Sequence, residues 1–168
     1  VCAAGKEGRL LVDEAISRGY EVTGFVRSES NRINSKAKIV VKDLFDLTKE
    51  DLAGFDAVID AFGAWTPETL HPHSESLMHL CDVLSGSRTR LLVVGGAGSL
   101  YVNPEHTVQV KDLDSFPDIF KPLANAQGAA LEKLRERDDV NWTFLSPAGD
   151  FVADGVRTGE YLTGGEEY

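Results

Sequence analysis

The chain is poor in basic charge. Lys and Arg number 17 against 27 Asp and Glu, for a formal net charge of −10. A phosphate-backbone binder needs a basic face, so the balance argues against a nucleic-acid partner. Long apolar runs are also missing. None approaches the roughly 20 residues of a membrane helix, and no leader pattern of basic, apolar and small residues opens the chain. The expected setting is therefore cytoplasmic, with no membrane partner. Cysteine is scarce: Cys2 and Cys81 lie far apart in apolar surroundings. They are expected to be buried free thiols and not a disulfide or a metal pair. His71, His73 and His79 cluster in sequence, but no carboxylate or fourth ligand completes the set at zinc spacing. They are expected to be surface and loop residues, with no metal. Repeats and low-complexity segments are absent. There is no initiator Met, the first residues fall inside an expected strand, and Gly164-Gly165-Glu166-Glu167-Tyr168 stops in mid-pattern. Truncation at both ends is the expectation, with oligomeric state left open.

What is present is an ordinary globular balance, 42% apolar and 26% charged over 168 residues, enough for one domain with one core. The organising stretch is Val1-Cys2-Ala3-Ala4-Gly5-Lys6-Glu7-Gly8. Two glycines three apart stand at the threshold of a helix-period run containing Leu10, Leu11, Ala15 and Ile16. A turn of small residues at a helix start brings bare N–H groups against a diphosphate, and the helix dipole favours the same anion. The spacing reads as the last two glycines of a G-x-x-G-x-x-G turn, with Cys2 where the first is expected. An ordinary strand–helix turn is the plainer alternative. Residues 6–18 are expected to be helical, closed by Gly19. Tyr20 to Val26 follows as a strand, completing half of a βαβ unit.

Arg27 bears on cofactor choice. Sites for an unphosphorylated dinucleotide place Asp or Glu at the end of this strand to hold the ribose 2′-OH. Here the residues are Val26-Arg27-Ser28, and a guanidinium can fork onto a 2′-phosphate. Ser28, Asn31 and Arg32 add donors, so NADP(H) is expected over NAD(H), a solvated loop arginine being the alternative. Lys38 to Leu44 reads as the third strand. Asp43 and Leu44 are assigned to the adenine edge, or else Asp43 merely ends the strand. Thr48 and Asp51 carry a reciprocal helix-capping pattern. Phe55 to Gly63 is the fourth strand with its exit turn, where the backbone of Ala61, Phe62 and Gly63 can approach the nicotinamide-side ribose.

Trp65 to Pro72 reads as an irregular loop, and Ser74 to Leu84 as a helix. Arg90 onward is the clearest buried strand, continuously apolar as a central parallel strand should be. It empties into Gly95-Gly96-Ala97-Gly98-Ser99-Leu100-Tyr101. Ser99 either orients a nicotinamide amide or substrate group, or bonds its own turn. Pro104 to Pro122 is expected to loop over the crevice, Leu123 to Arg137 to form a helix, and Asn141 to Leu145 a strand. Ser146 to Phe151 leaves that strand at the same edge. Gly159 to Gly165 looks like one arm of a hairpin. Strands near positions 1, 22, 39, 58, 92 and 143 alternating with helices predict an α/β fold. Its form is a doubly wound parallel sheet in a Rossmann-type three-layer sandwich, one domain over residues 1–168.

Ala3-Ala4-Gly5-Lys6-Glu7-Gly8, Val26-Arg27, Lys42-Asp43-Leu44, Asp60-Ala61-Phe62-Gly63, Val93 to Ser99, and Leu145-Ser146-Pro147-Ala148 together resemble a family. It is the atypical short-chain dehydrogenase/reductases of the NmrA-like and NADH-flavin reductase type. The resemblance covers nearly the whole chain and implies an NAD(P)-binding Rossmann domain. The cofactor contacts it implies are Ala4, Gly5, Lys6, Glu7, Gly8, Arg27, Asp43, Leu44, Ala61, Phe62, Gly63, Ser99 and Pro147. Trp65, Tyr101 and Phe151, with Phe62, are the candidate apolar walls for a small-molecule acceptor. Typical short-chain dehydrogenases use a Tyr-x-x-x-Lys pair for proton transfer. No tyrosine here has a lysine four residues on, and Gln127 and Leu131 occupy the helix that should carry the pair. Hydride transfer between stacked rings survives that loss, because the cofactors carry the chemistry. The resemblance thus implies an NAD(P)H-dependent reductase of a flavin or another flat diffusible acceptor. A non-catalytic dinucleotide sensor of NmrA type is the alternative, and a sugar-nucleotide or isomerase activity a weaker third.

Overall fold

The computed structural model describes residues 1–149, 151–152 and 155–168. The first helix, α1 (Lys6–Ser17), turns Gly8 and Val12 inward. Gly19 ends it at a φ of +84°, where its N–H donates to the Ile16 carbonyl. Strand β1 (Thr23–Val26) then runs parallel to β2 (Lys38–Val41). Strand β3 (Ala57–Asp60), helix α2 (Pro72–Leu84), strand β4 (Arg90–Val94), helix α3 (Lys121–Arg135) and strand β5 (Asn141–Leu145) complete the regular elements. Strands β3, β4 and β5 pair in parallel, Val58 opposite Leu91 and Leu91 opposite Trp142.

Val1 to Ala3 joins the two ribbons. The Ala3 N–H donates to the Phe25 carbonyl at 3.2 Å, and the Val1 nitrogen donates to the Ile59 carbonyl at 2.6 Å. The spatial order is therefore β2, β1, residues 1–3, β3, β4, β5. The chain works outward in both directions from residues 1–3, which is the switch point where a doubly wound sheet opens a ligand crevice.

Strand alternation makes the layers. Phe25 and Val40 face the large cluster under α2 and α3, whereas their neighbours Val26 and Ile39 face a smaller cluster under α1. The large cluster holds the most buried side chains. Leu80 and Cys81 of α2, Leu91 of β4 and Leu134 of α3 are each 0% exposed.

Several sequence expectations need correction. Thr48 and Asp51 do form the reciprocal bonds, the Asp51 carboxylate accepting the Thr48 N–H at 2.7 Å, but only turns follow. Gly54, at a φ of +82°, reverses the chain and β3 starts three residues later, so there is no room for a helix. Residues 159–165 are irregular, and a single bridge between Tyr101 and Glu167 stands where the hairpin arm was expected. His73 and His79 are not loop residues. Both lie on α2, where each Nε2 meets a loop carbonyl, of Ala64 and of Leu47, at 3.0 Å. Cys81 is buried as expected, while Cys2 is only partly so. Among the described residues, no helix is long and apolar enough to cross a membrane.

Candidate functional site

At the switch point, Cys2 adopts a φ of +58°, the left-handed conformation that glycine takes freely. The sulfur does not displace the turn: the Cys2 carbonyl accepts the Gly5 N–H at 3.1 Å. Gly8 packs directly on this turn. A Cβ there would overlap the Cys2 carbonyl oxygen and stand 2.9 Å from Ala3 Cα, both backbone atoms. Helix α1 begins with no side-chain cap. The N–H groups of Lys6, Glu7 and Gly8 have no hydrogen-bond partner among the described residues. An uncapped helix start leaves its donors to water or to an anion. The Cys2 thiol is pushed up to about 11, first by burial and then by Asp60, and is a neutral wall of this turn.

Arg27 follows β1 and Asp43 follows β2, whose last residues Val26 and Val41 pair, and Ala3 bonds Phe25 alongside, so both lie at the sheet edge that carries the Cys2 turn. Arg27 is exposed and has no ion-pair partner among the described residues. Ser28, Asn31 and Arg32 beside it are exposed too. One Asp43 oxygen accepts the Phe45 N–H at 3.0 Å and so caps the short 3₁₀ turn Leu44–Asp46. The Leu44 side chain enters the core, leaving backbone and the other carboxylate oxygen as what this pair can present.

Beyond β3, residues 61–65 have no regular structure. The Phe62 N–H donates to Asp60 Oδ1 at 3.0 Å. Trp65 is 74% exposed, and its indole covers Gly63, with Nε1 3.3 Å from where a Cβ would stand. Beyond β4, the Gln127 amide packs so closely on Gly96 that any Cβ there would overlap Oε1, and the Phe144 ring similarly covers Gly95. The buried Ser99 hydroxyl bonds back to the Gly96 carbonyl at 3.4 Å, the turn role weighed above for it. A cavity of about 20 Å³ lies between these segments, lined among others by Asp60, Phe62, His73, Gly95, Gln127 and Phe144. Leu131 belongs to the core and not to this cavity wall.

The structure thus gathers the 2–8 turn, Arg27, Asp43, the 61–65 segment and the β4 exit at the C-terminal ends of the strands. Pro147 is half-buried just past β5. Tyr101 is otherwise engaged. Its ring stacks on His106 at 4.5 Å, and its backbone bonds Glu166 and Tyr168. Phe151 is 60% exposed, and its neighbour Asp150 lies outside the described residues.

The residue that sequence reasoning passed over is Asp60, 3% exposed at the end of β3. Burial pushes its carboxyl above the ordinary range. An acid inside the apolar run Ala57 to Phe62 was the available signal. Among the described residues, no three metal-ligating side chains come together.

A family profile described as NAD(P)H-binding matches residues 2–167. This chain belongs to that NAD(P)H-binding family. The Bacillus subtilis (strain 168) protein YwnB, itself uncharacterised, is 45% identical over 163 residues, covering 96% of this chain and 76% of its own. A solved structure from Streptococcus pneumoniae TIGR4, provisionally named an NADH-flavin reductase, is 51% identical with a TM-score of 0.95, covering 99% of this chain and 79% of that one. A Bacteroides thetaiotaomicron structure provisionally named an epimerase is 34% identical with a TM-score of 0.81, covering 98% and 76%. Two provisional activities on one fold show why the reaction has to be argued from the site.

Proposed function

We propose that the protein is an NAD(P)H-dependent oxidoreductase that reduces a flavin or a similarly flat, diffusible acceptor, with NADP(H) preferred over NAD(H). The observation that carries this reading is the uncapped α1 start, with the free N–H groups of Lys6, Glu7 and Gly8 above a turn that leaves no room for a side chain at Gly8. Ala4 and Gly5 complete this cradle for the diphosphate. Arg27, exposed and without an ion-pair partner among the described residues, reads the 2′-phosphate through a charge-assisted fork. Asp43 and the Leu44 backbone border the adenine. The backbone of Ala61, Phe62 and Gly63 faces the nicotinamide-side ribose, with Ser99 and Pro147 at the far wall.

The reduced dinucleotide supplies a hydride when bound. The chain's task is then to hold two rings together and exclude water. Trp65, exposed yet braced on Gly63, offers a flat face for the acceptor ring. Phe62 adds apolar wall, and Phe151 is assigned to the same acceptor side. Neither Gln127 nor Leu131 can donate a proton as a Tyr/Lys pair does, which favours an acceptor that takes hydride without one. Steady-state NADPH oxidation with FMN, FAD or riboflavin tests the proposal. A flavin-dependent rate is expected, and rates equal to the buffer control for all three would overturn it.

The absence of that pair also suits a second reading, a dinucleotide sensor that catalyses nothing. Tight binding of both cofactor redox states, no turnover, and a partner retained in only one state would favour it.

A further inference from the structure

Two polar side chains are buried beneath the 61–65 segment, and the chemistry above assigns neither a task. Asp60 is 3% exposed and His73 is 8% exposed. They come from different elements, the end of β3 and the first turn of α2. Asp60 Oδ1 accepts the Phe62 N–H, and His73 Nε2 donates to the Ala64 carbonyl, each at 3.0 Å. Among the described residues these are the only hydrogen bonds made to the backbone of residues 61–65. The Phe62 ring also meets the His73 ring edge-on, with centroids 5.2 Å apart and planes at 85°. The segment has no regular structure to fix its shape, yet it ends on an indole laid against Gly63. Burying a carboxyl and an imidazole is unfavourable unless their bonds secure something. What these bonds secure is alternate backbone groups of one short loop.

We infer that Asp60 and His73 are positioning residues for acceptor binding: they latch residues 61–65 and thereby hold Trp65 in place as the acceptor platform. The inference rests on the reductase reading for its consequence but not for its geometry. Neither side chain touches the free N–H groups of the diphosphate turn, so loosening the latch leaves the main dinucleotide anchor intact and falls on the acceptor more than on the ribose contact of the same segment.

The geometry is tested without catalysis. In the wild-type protein, the Phe62 amide is expected to exchange with solvent roughly tenfold or more slowly than the amides of Ala61 and Gly63. Incorporation of 5-fluorotryptophan gives resonances for Trp65 and Trp142, assigned with Trp65→Phe. In His73→Phe, which keeps a ring and removes the donor, the Trp65 resonance is expected to move towards the free amino acid. His73→Gln, which restores a donor, is expected to reverse part of that move. An unprotected Phe62 amide would overturn the latch even if His73→Phe failed to fold, as would a Trp65 resonance unchanged in the folded variant. Kinetics then test the consequence. His73→Phe should raise KM for FMN about fivefold or more, while NADPH, still held at the diphosphate turn, should weaken by no more than about threefold. Parallel loss of both would assign the pair a merely structural role. A wild type with a protected Phe62 but no flavin turnover would contradict the reductase reading and leave the latch standing.

Discussion

The crevice edge and the α2–β4–α3 core are built by opposite rules. In the core, Leu80, Leu84, Leu91 and Leu134 are at most 1% exposed and apolar throughout. At the crevice edge, a non-glycine residue sits in the left-handed region, α1 starts uncapped, an arginine stands without an ion pair among the described residues, and a carboxyl is buried. The left-handed residue, the uncapped helix start and the buried carboxyl each carry a cost that packing elsewhere offsets. Local violations concentrated at one edge mark where ligand binding, and not stability, governs the choice of residue.

The comparison breaks most visibly if a core change alters function, or if a crevice change behaves like a core change. Leu134→Ala should have the largest effect, a loss of about 3 kcal/mol of stability in thermal unfolding. NADPH affinity, measured well below the transition, should be unchanged. Arg27→Glu should do the reverse. Adding repulsion where a fork is proposed, it should weaken NADPH by about tenfold or more, roughly 1.4 kcal/mol. It should leave NADH and the melting temperature nearly unmoved. Equal loss of both cofactors in titration would show that Arg27 does not read the phosphate.

Cys2→Gly sharpens the contrast, since it relieves a left-handed L-residue and should stabilise the fold by about 1 kcal/mol. The smallest effect belongs to Asp139, whose carboxyl is held below its usual range, first by the Arg137 guanidinium. A depressed carboxylate contributes stability above its ordinary pKa of about 3.9 and loses it as pH falls towards the folded value. The melting-temperature gap between wild type and Asp139→Asn should therefore be steady at neutral pH and close as the solution is acidified below about pH 4.

Much of this architecture could be read in the sequence because it follows from period and punctuation. The apolar run from Arg90, the small-residue turn before α1 and the glycine after it each have one structural meaning. The six-strand order was legible too, although Val1 to Ala3 joins the sheet by hydrogen bonds at its two ends and not as a regular strand. What misled were patterns with a local optimum and no room to extend. Thr48 and Asp51 satisfy each other as a helix cap would, and Gly54 then ends the element. Partnerships between distant residues had no sequence signal. His73 reaches Ala64, His106 stacks on Tyr101, and Gln127 covers Gly96, all through tertiary packing. Asp60 was visible as a letter but not as a role, because burial is a property of the fold.

The central claim is that the turn over residues 2–8 holds a dinucleotide because Gly8 leaves it room. Calorimetric titration of NADPH into wild type and Gly8→Val, with circular dichroism to confirm folding, tests it most directly. The account predicts saturable binding to wild type and an affinity lower by about tenfold or more, roughly 1.4 kcal/mol, in the folded variant. Equal affinity in the two proteins, or no binding to the wild type, would contradict it.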